Sequence, residues 1–183
     1  MNKSRYNFFW ILSWSKYIIT SNNTVTATDY NTAGGTVVDI PATVSRACIT
    51  YNVTSISNLA FSSSNLTSII IPNSVITISF SSFANNNLMS VIIPDSVETI
   101  GQSAFAQNNN MTSVVIGSNV TNIGESAFAF CDLPSVIIPD SVKSIGIQAF
   151  GDCGLESITI PDGVTSIGDA AFGSCTSLAS ITI

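Results

Sequence analysis

The sequence predicts a solenoid: short, mostly β coils stacked along one axis, each too small to fold alone. Three observations carry this. Phenylalanines recur as Phe61, Phe83, Phe105, Phe128, Phe150 and Phe172, spaced 22, 22, 23, 22 and 22 residues apart. Eight residues before each stands a valine (Val53, Val75, Val97, Val120, Val142, Val164), and five before each an isoleucine (Ile56, Ile78, Ile100, Ile123, Ile145, Ile167). Length varies in one place only, between the phenylalanine and the next strand, where "FAQNNNMTS" exceeds "FANNNLMS" by one residue. Fixed positions with slack confined to one loop are what stacked coils require.

Each unit changes its periodicity as it runs. "LESITIP" alternates, with Leu155, Ile158 and Ile160 on one side and Ser157 and Thr159 on the other, the pattern of a short strand. "PDS" or "PDG" follows as a turn, Pro presetting φ and Asp bonding the backbone ahead. "VTSIG" adds two inward residues, and "DAAFGSC", with its alanines and one large ring, suits a single short helical or 3₁₀ turn. Stacking buries Leu, Ile, Ile, Val, Ile, Ala and Phe of each unit on their counterparts. Burying a large apolar side chain is worth about 1.5–3 kcal/mol, against about 1–2 kcal/mol per residue of backbone ordering. Many interfaces must therefore act together.

Composition narrows the function. Of 183 residues 45% are hydrophobic and only 9% charged, so Ser, Thr and Asn must solvate the surface, unlike a disordered chain of high charge. The net charge is −6, and from Val53 onward Lys143 is the only basic residue. A nucleic-acid binder needs a basic face to displace counterions, so that class is set aside. Histidine is absent, which removes the usual proton shuttle and the commonest metal ligand.

The recurring "LxSIxIPxxVxxIGxxAFxxC" resembles the BspA-type leucine-rich repeat of bacterial surface proteins and some protist proteins, over roughly Val37 to Ile183. The preceding "TVTATDYNTAGGTVVDIPATV" is similar to the opening unit of that family. The early units depart from the pattern: Ser57 and Ser79 replace the glycine of "IG", Thr50 and Gly117 the proline, and Ser64, Asn86 and Asn108 the cysteine. The resemblance implies a leucine-rich repeat solenoid, mostly β with short helical or 3₁₀ turns and a parallel sheet on one face. It also implies adhesion and protein recognition at the cell surface or after secretion, with no shared catalytic site.

Cys131, Cys153 and Cys175 share one repeat position. Stacking brings them within about 5 Å, which permits a disulfide. Buried free thiols acting as small hydrophobes are favoured, with Asn86 and Asn108 continuing the column as a hydrogen-bonding ladder. No metal or other cofactor is expected, since there is no His and no CxxC. Cys48 stands alone, placed in the first strand at an outward or edge position. Asp95, Asp140 and Asp162, with Asn73 in the equivalent place, recur after the proline. Stacked carboxylates could bind calcium, but Ser118 interrupts the column and turn chemistry explains them better. The sequons at Asn22, Asn52, Asn65, Asn110 and Asn119 are expected by chance in so Asn-, Ser- and Thr-rich a chain.

Two outward columns are the candidate binding face. Ser68, Ser90, Ser113, Ser135, Ser157 and Ser180 form one; Ile70, Ile92, Val115, Ile137, Thr159 and Thr182, two residues on, form the other. Alternation along a strand places both on one flat exposed face of the sheet. An apolar stripe beside a hydroxyl row suits recognition, although β-propensity alone would also select Ile, Val and Thr there. Aromatic anchors are missing.

Residues 1–30 read as a separate N-terminal segment and residues 31–183 as the array. "MNKSRYNFFWILSWSKYIITSNNTVTA" sketches a signal peptide with Val25 and Ala27 suited to cleavage; alternatively Phe8, Trp10, Ile11 and Trp14 cap the first repeat. Its apolar run is too short for a transmembrane helix. The chain ends at "ASITI" without a polar cap, so it is expected to be a truncated array or to associate end to end through an open C-terminal edge.

The leading functional expectation is a non-catalytic protein-binding or adhesion module that takes a protein, matrix or glycan partner on the sheet face. A structural spacer, or binding to a regular lattice such as polysaccharide or ice, are the alternatives. No nucleophile–base pair or glycine-rich phosphate loop supports an enzyme.

Overall fold

A computed structural model describes residues 16–21, 24–28 and 35–183. Strand β1 (Tyr17–Ser21) pairs antiparallel with β2 (Thr24–Ala27). Strands β3 (Val37–Asp39), β4 (Thr43–Arg46) and β5 (Ile49–Ile56) belong to the first coil. Later coils carry a three-residue strand and then a two-residue one: β6 (Ser68–Ile70) and β7 (Thr77–Ile78), β8 (Ser90–Ile92) and β9 (Thr99–Ile100), β10 (Ser113–Val115) and β11 (Asn122–Ile123). The next coil contributes only β12 (Ser144–Ile145). Then come β13 (Ser157–Thr159), β14 (Ser166–Ile167) and β15 (Ser180–Thr182).

The stacking is as the repeat demands, but the unbroken ladder is not where the alternation suggests. It runs β1-β2-β5-β7-β9-β11-β12-β14, parallel from β2 onward, and is built from the short V-x-x-I segments. Its inward isoleucines, Ile56, Ile78, Ile100, Ile123 and Ile145, are buried. Val25 and Ala27 of β2 are buried too, in register with Val53 and Ile56. The expected aromatic cap at Phe8, Trp10, Ile11 and Trp14 lies outside the described residues.

The first coil also departs from the expected spacing. Val38 and Ile69 pair between β3 and β6, so Pro41, not Thr50, stands one residue beyond the buried Ile40, as Pro72 does beyond Ile71. Between Pro41 and Val53 the chain inserts the antiparallel hairpin β4–β5, in which Arg46 faces Ile49 across the two-residue turn Ala47–Cys48. Both turn residues have positive φ, 50° and 64°, the conformation that hairpin twist selects. Cys48 is therefore an exposed turn residue and not part of a strand.

The expected helical or 3₁₀ turn around each phenylalanine is absent. Two residues before each ring (Leu59, Ser81, Ser103, Ser126, Gln148, Ala170) and two after it (Ser63, Asn85, Gln107, Phe130, Asp152, Ser174) the backbone is left-handed, with φ between 48° and 61°. A left-handed residue costs about 1–2 kcal/mol and cannot continue a right-handed helix. Inter-coil hydrogen bonds offset that cost. The N–H groups of Ser81, Phe83 and Asn85 donate to the carbonyls of Gln102, Ala104 and Ala106 in the next coil, at 2.8–2.9 Å. The six rings then form one file, with neighbouring centroids 5.2–5.7 Å apart and planes within 15° of parallel. Beside this file, glycine is required where coils touch: a Cβ on Gly124 would lie 2.6 Å from the carbonyl carbon of Gly101.

The column of Ser64, Asn86, Asn108, Cys131, Cys153 and Cys175 is buried and continuous. Asn86 Nδ2 donates to the carbonyls of Phe61 and Phe83, while its Oδ1 accepts from Ser64 N–H and Leu66 N–H. Where cysteine replaces asparagine, the thiols of Cys131, Cys153 and Cys175 donate to the carbonyls of Phe105, Phe128 and Phe150 at 3.4, 3.2 and 3.1 Å. All three are free, and burial pushes each thiol upward, that of Cys131 from 9.0 to about 12. Ser82, standing in a column of alanines, is buried with its hydroxyl unpaired among the described residues.

Three outcomes follow from this packing. Phe105→Ala should lose about 3–5 kcal/mol in urea unfolding, since it opens the centre of the ring file. Ser82→Ala should leave stability unchanged or raise it by about 1 kcal/mol, because an unsatisfied buried hydroxyl disappears; a clear loss would show that the hydroxyl has a partner. Under non-denaturing conditions a thiol reagent should modify Cys48 alone, with the other three cysteines reacting only on unfolding. The folded state holds those thiols neutral while the unfolded chain ionises from its ordinary range. For Cys131 the stabilising contribution is thus complete below pH 9.0 and is lost as pH rises through about 12, and those of Cys153 and Cys175 are lost in the same direction.

Candidate functional site

The structure places all twelve candidate residues on one side of the solenoid, every one of them exposed. Their inward neighbours Ile69, Val91, Val136 and Ile158 are buried and hold the face to the core. The apolar column stands well out from the surface, Ile92 being 68% exposed and Ile137 86%.

This side is not one flat sheet. Its ladder is cut into the two-stranded pieces β3–β6, β8–β10 and β13–β15. Ser135–Ile137, expected as a strand, joins none of them. Toward β10 the reason lies one residue upstream. In neighbouring coils the residue before the serine donates its N–H to the coil beneath: Thr67 to Thr36 at 2.7 Å, Thr112 to Met89 at 3.0 Å, Ala179 to Glu156 at 2.9 Å. Pro134 occupies that position and has no N–H to give. Toward β13 the corresponding bond is made, Glu156 N–H donating to Pro134 C=O at 3.1 Å, so no such residue explains the opening there or the one between β6 and β8.

Where the ladder opens, two grooves form. The first, of about 540 Å³, is lined by Ser68–Ile71 on one side and Ser90–Ile93 on the other, with Asn73 and Asp95 at its rim and Val115 and Gly117 of the following coil at its far end. The second, of about 350 Å³, lies between Ser135–Ile138 and Ser157–Thr159, with Asp140 and Pro161 at its rim. The alternation of the serine strand conceals both.

The rim aspartates also differ from the expected turn role. The turns close on backbone bonds, Val97 N–H to Pro94 C=O and Val142 N–H to Pro139 C=O, both at 3.0 Å. Asp95 instead reaches the next coil: its Oδ1 accepts from Ser118 N–H at 2.7 Å and from Ser118 Oγ at 3.0 Å. Those two bonds hold its carboxyl below the usual range, so it stays ionised. The serine of "PDSV" supplies a further cross-coil tie, with Ser96 Oγ donating to Val75 C=O and Ser141 Oγ to Val120 C=O.

Among the described residues, no three His, Cys, Asp or Glu side chains are grouped to hold a metal ion. No helix among them is long and apolar enough to cross a membrane. The arrangement offers exposed apolar side chains, hydroxyls and rim carboxylates for contact, that of Asp95 fixed by Ser118.

Comparison with known proteins agrees with this architecture. The family model described as "BspA type Leucine rich repeat region (6 copies)" matches residues 42–156 and 143–183. A leucine-rich repeat protein from Bacteroides ovatus is 31% identical with a TM-score of 0.63, over 91% of this chain and 39% of the other. A leucine rich cell surface protein from Faecalibacterium prausnitzii is 30% identical with a TM-score of 0.65, over 90% of this chain and 52% of the other. The T. pallidum leucine-rich repeat protein is 26% identical with a TM-score of 0.61, over 90% of this chain and 66% of the other. The chain therefore spans well under two thirds of the first two proteins' length. No curated protein matches it. With the family's repeat running through most of the chain and its coils stacked as described, the chain belongs to the BspA-type leucine-rich repeat family.

Proposed function

We propose that the chain is a non-catalytic recognition module of a surface or secreted protein, binding a partner protein through the side that carries Ile70, Ile92, Val115 and Ile137. One observation carries this reading: these four large side chains stand exposed in consecutive coils of the side whose backbone ladder is broken, while the opposite sheet is closed. Contiguous apolar exposure of this kind marks contact surfaces, and the breaks supply concavities that a flat sheet lacks. The surface assignment draws on the family and on the Faecalibacterium prausnitzii relative, a leucine rich cell surface protein. A regular lattice would demand unbroken periodicity, which the interrupted ladder does not offer. A spacer has no use for exposed isoleucines.

The double variant Ile92→Lys/Ile137→Lys should fold like the wild type, because both side chains already face solvent. In a parallel pull-down and glycan-array screen, wild type should retain partners that the variant loses at least tenfold. Indistinguishable binding by the two would remove the face from consideration.

A further inference from the structure

Resting on that reading of the face, we infer that its occupant is an extended protein segment carrying both apolar and cationic side chains, seated across the two grooves at once. The geometry sets the spacing. One groove opens between β6 and β8 and the other between the Ser135 segment and β13, three coils further along. At about 4.8 Å per coil that separation is roughly 14 Å, the reach of four residues of extended chain at 3.3–3.6 Å each. Residues i and i+4 of an extended segment point the same way, so two large apolar side chains enter the two grooves together. The residue between them, i+2, falls over Val115 of the intact β8–β10 ribbon, where the first groove ends. Peptide segments bound in extended form commonly draw specificity from such alternate side chains.

Charge decides what flanks those apolar anchors. From Val53 onward there are nine acidic residues and one basic one. Asp95 borders the first groove and Asp140 the second, and both are exposed. Asp95 is pinned by Ser118 through one oxygen, which leaves the other turned to no partner among the described residues. Asp140 makes no hydrogen bond or ion pair among them either. Among the described residues Lys143 is the one nearby cation, and its ammonium lies against Gly163 in the next coil without pairing to a carboxylate there. Lysine or arginine beside the apolar anchors would meet unneutralised carboxylates at both rims, and electrostatic complementarity of this kind selects partners and speeds encounter. The same charges argue against a second copy of this chain as occupant, since two such faces would set Asp95 and Asp140 against carboxylates of the same sign.

The test is fluorescence anisotropy with three labelled peptides, Lys-Leu-Lys-Val-Lys-Leu-Lys, Glu-Leu-Glu-Val-Glu-Leu-Glu and Lys-Ser-Lys-Ser-Lys-Ser-Lys, against the whole chain and two double variants. The first peptide should bind at least tenfold tighter than either of the others. Asp95→Asn/Asp140→Asn, which keeps an oxygen for Ser118, should weaken it at least fivefold, and Ile92→Lys/Ile137→Lys at least tenfold. If the glutamate or serine peptide binds as well as the first, or if the aspartate variant binds like wild type, the cationic-segment proposal fails while the face itself stands. If the isoleucine variant also binds like wild type, the face falls with it. Sedimentation showing a wild-type dimer that the isoleucine variant dissolves would name a second copy as the occupant and overturn the proposal.

Discussion

One constraint governs this molecule: the backbone of each coil must lie within hydrogen-bonding distance of the next around most of its circuit. Ring centroids 5.2–5.7 Å apart leave room for nothing between successive phenylalanines. A helix, about 10 Å across, cannot be stacked at that interval. The chain therefore turns its corners with left-handed residues, whose strain is tolerable because the N–H groups they direct upward find carbonyls in the next coil. The same closeness excludes a side chain at Gly124, Gly146 and Gly168, where a Cβ would sit 2.4–2.6 Å from backbone atoms. It also allows asparagine and cysteine to alternate in one column. Either residue meets the demand of that position, a donor aimed at the carbonyl of the preceding phenylalanine.

The constraint is not met equally on all sides. The V-x-x-I sheet is unbroken and the phenylalanine corner is bonded coil to coil, whereas the serine-isoleucine side is stitched only in pairs. Two closed sides suffice to hold the register, so the third is released from carrying the stack. There the chain accepts a proline in the ladder and large exposed isoleucines. The same freedom gives the side its grooves.

What could be read from the sequence was whatever repeats. The core positions, the ring file, the Asn–Cys column and the exposed serine and isoleucine columns follow directly from their spacing. The unbroken sheet did not show itself, because two-residue strands such as Thr99–Ile100 are too short for alternation to register. The β4–β5 hairpin was hidden by its turn, since Ala47–Cys48 occupies the conformation that Asn-Gly usually announces. Serine, glutamine and aspartate at the left-handed corners concealed those bends in the same way, for the inter-coil bonds that fix them are not local. Asp95 looked like a turn residue and proved to be a tie between coils.

A repeating face poses a problem of its own for recognition. On a uniform stripe a ligand displaced by one coil, about 4.8 Å, meets the same side chains again, so periodicity alone gives adhesion without register. Register must come from what does not repeat. On this side that set is small: Pro134, the two openings in the ladder, Ser118 in place of the third rim aspartate, and threonine in place of isoleucine at Thr159 and Thr182. Each departs from the repeat on the exposed side while leaving the buried columns intact. Asp95 and Asp140, two coils apart with a hydroxyl between them, mark positions that a sliding ligand would have to leave. If the face recognises one partner in one place, the discrimination resides in these irregularities, and the isoleucine stripe supplies the contact area they orient.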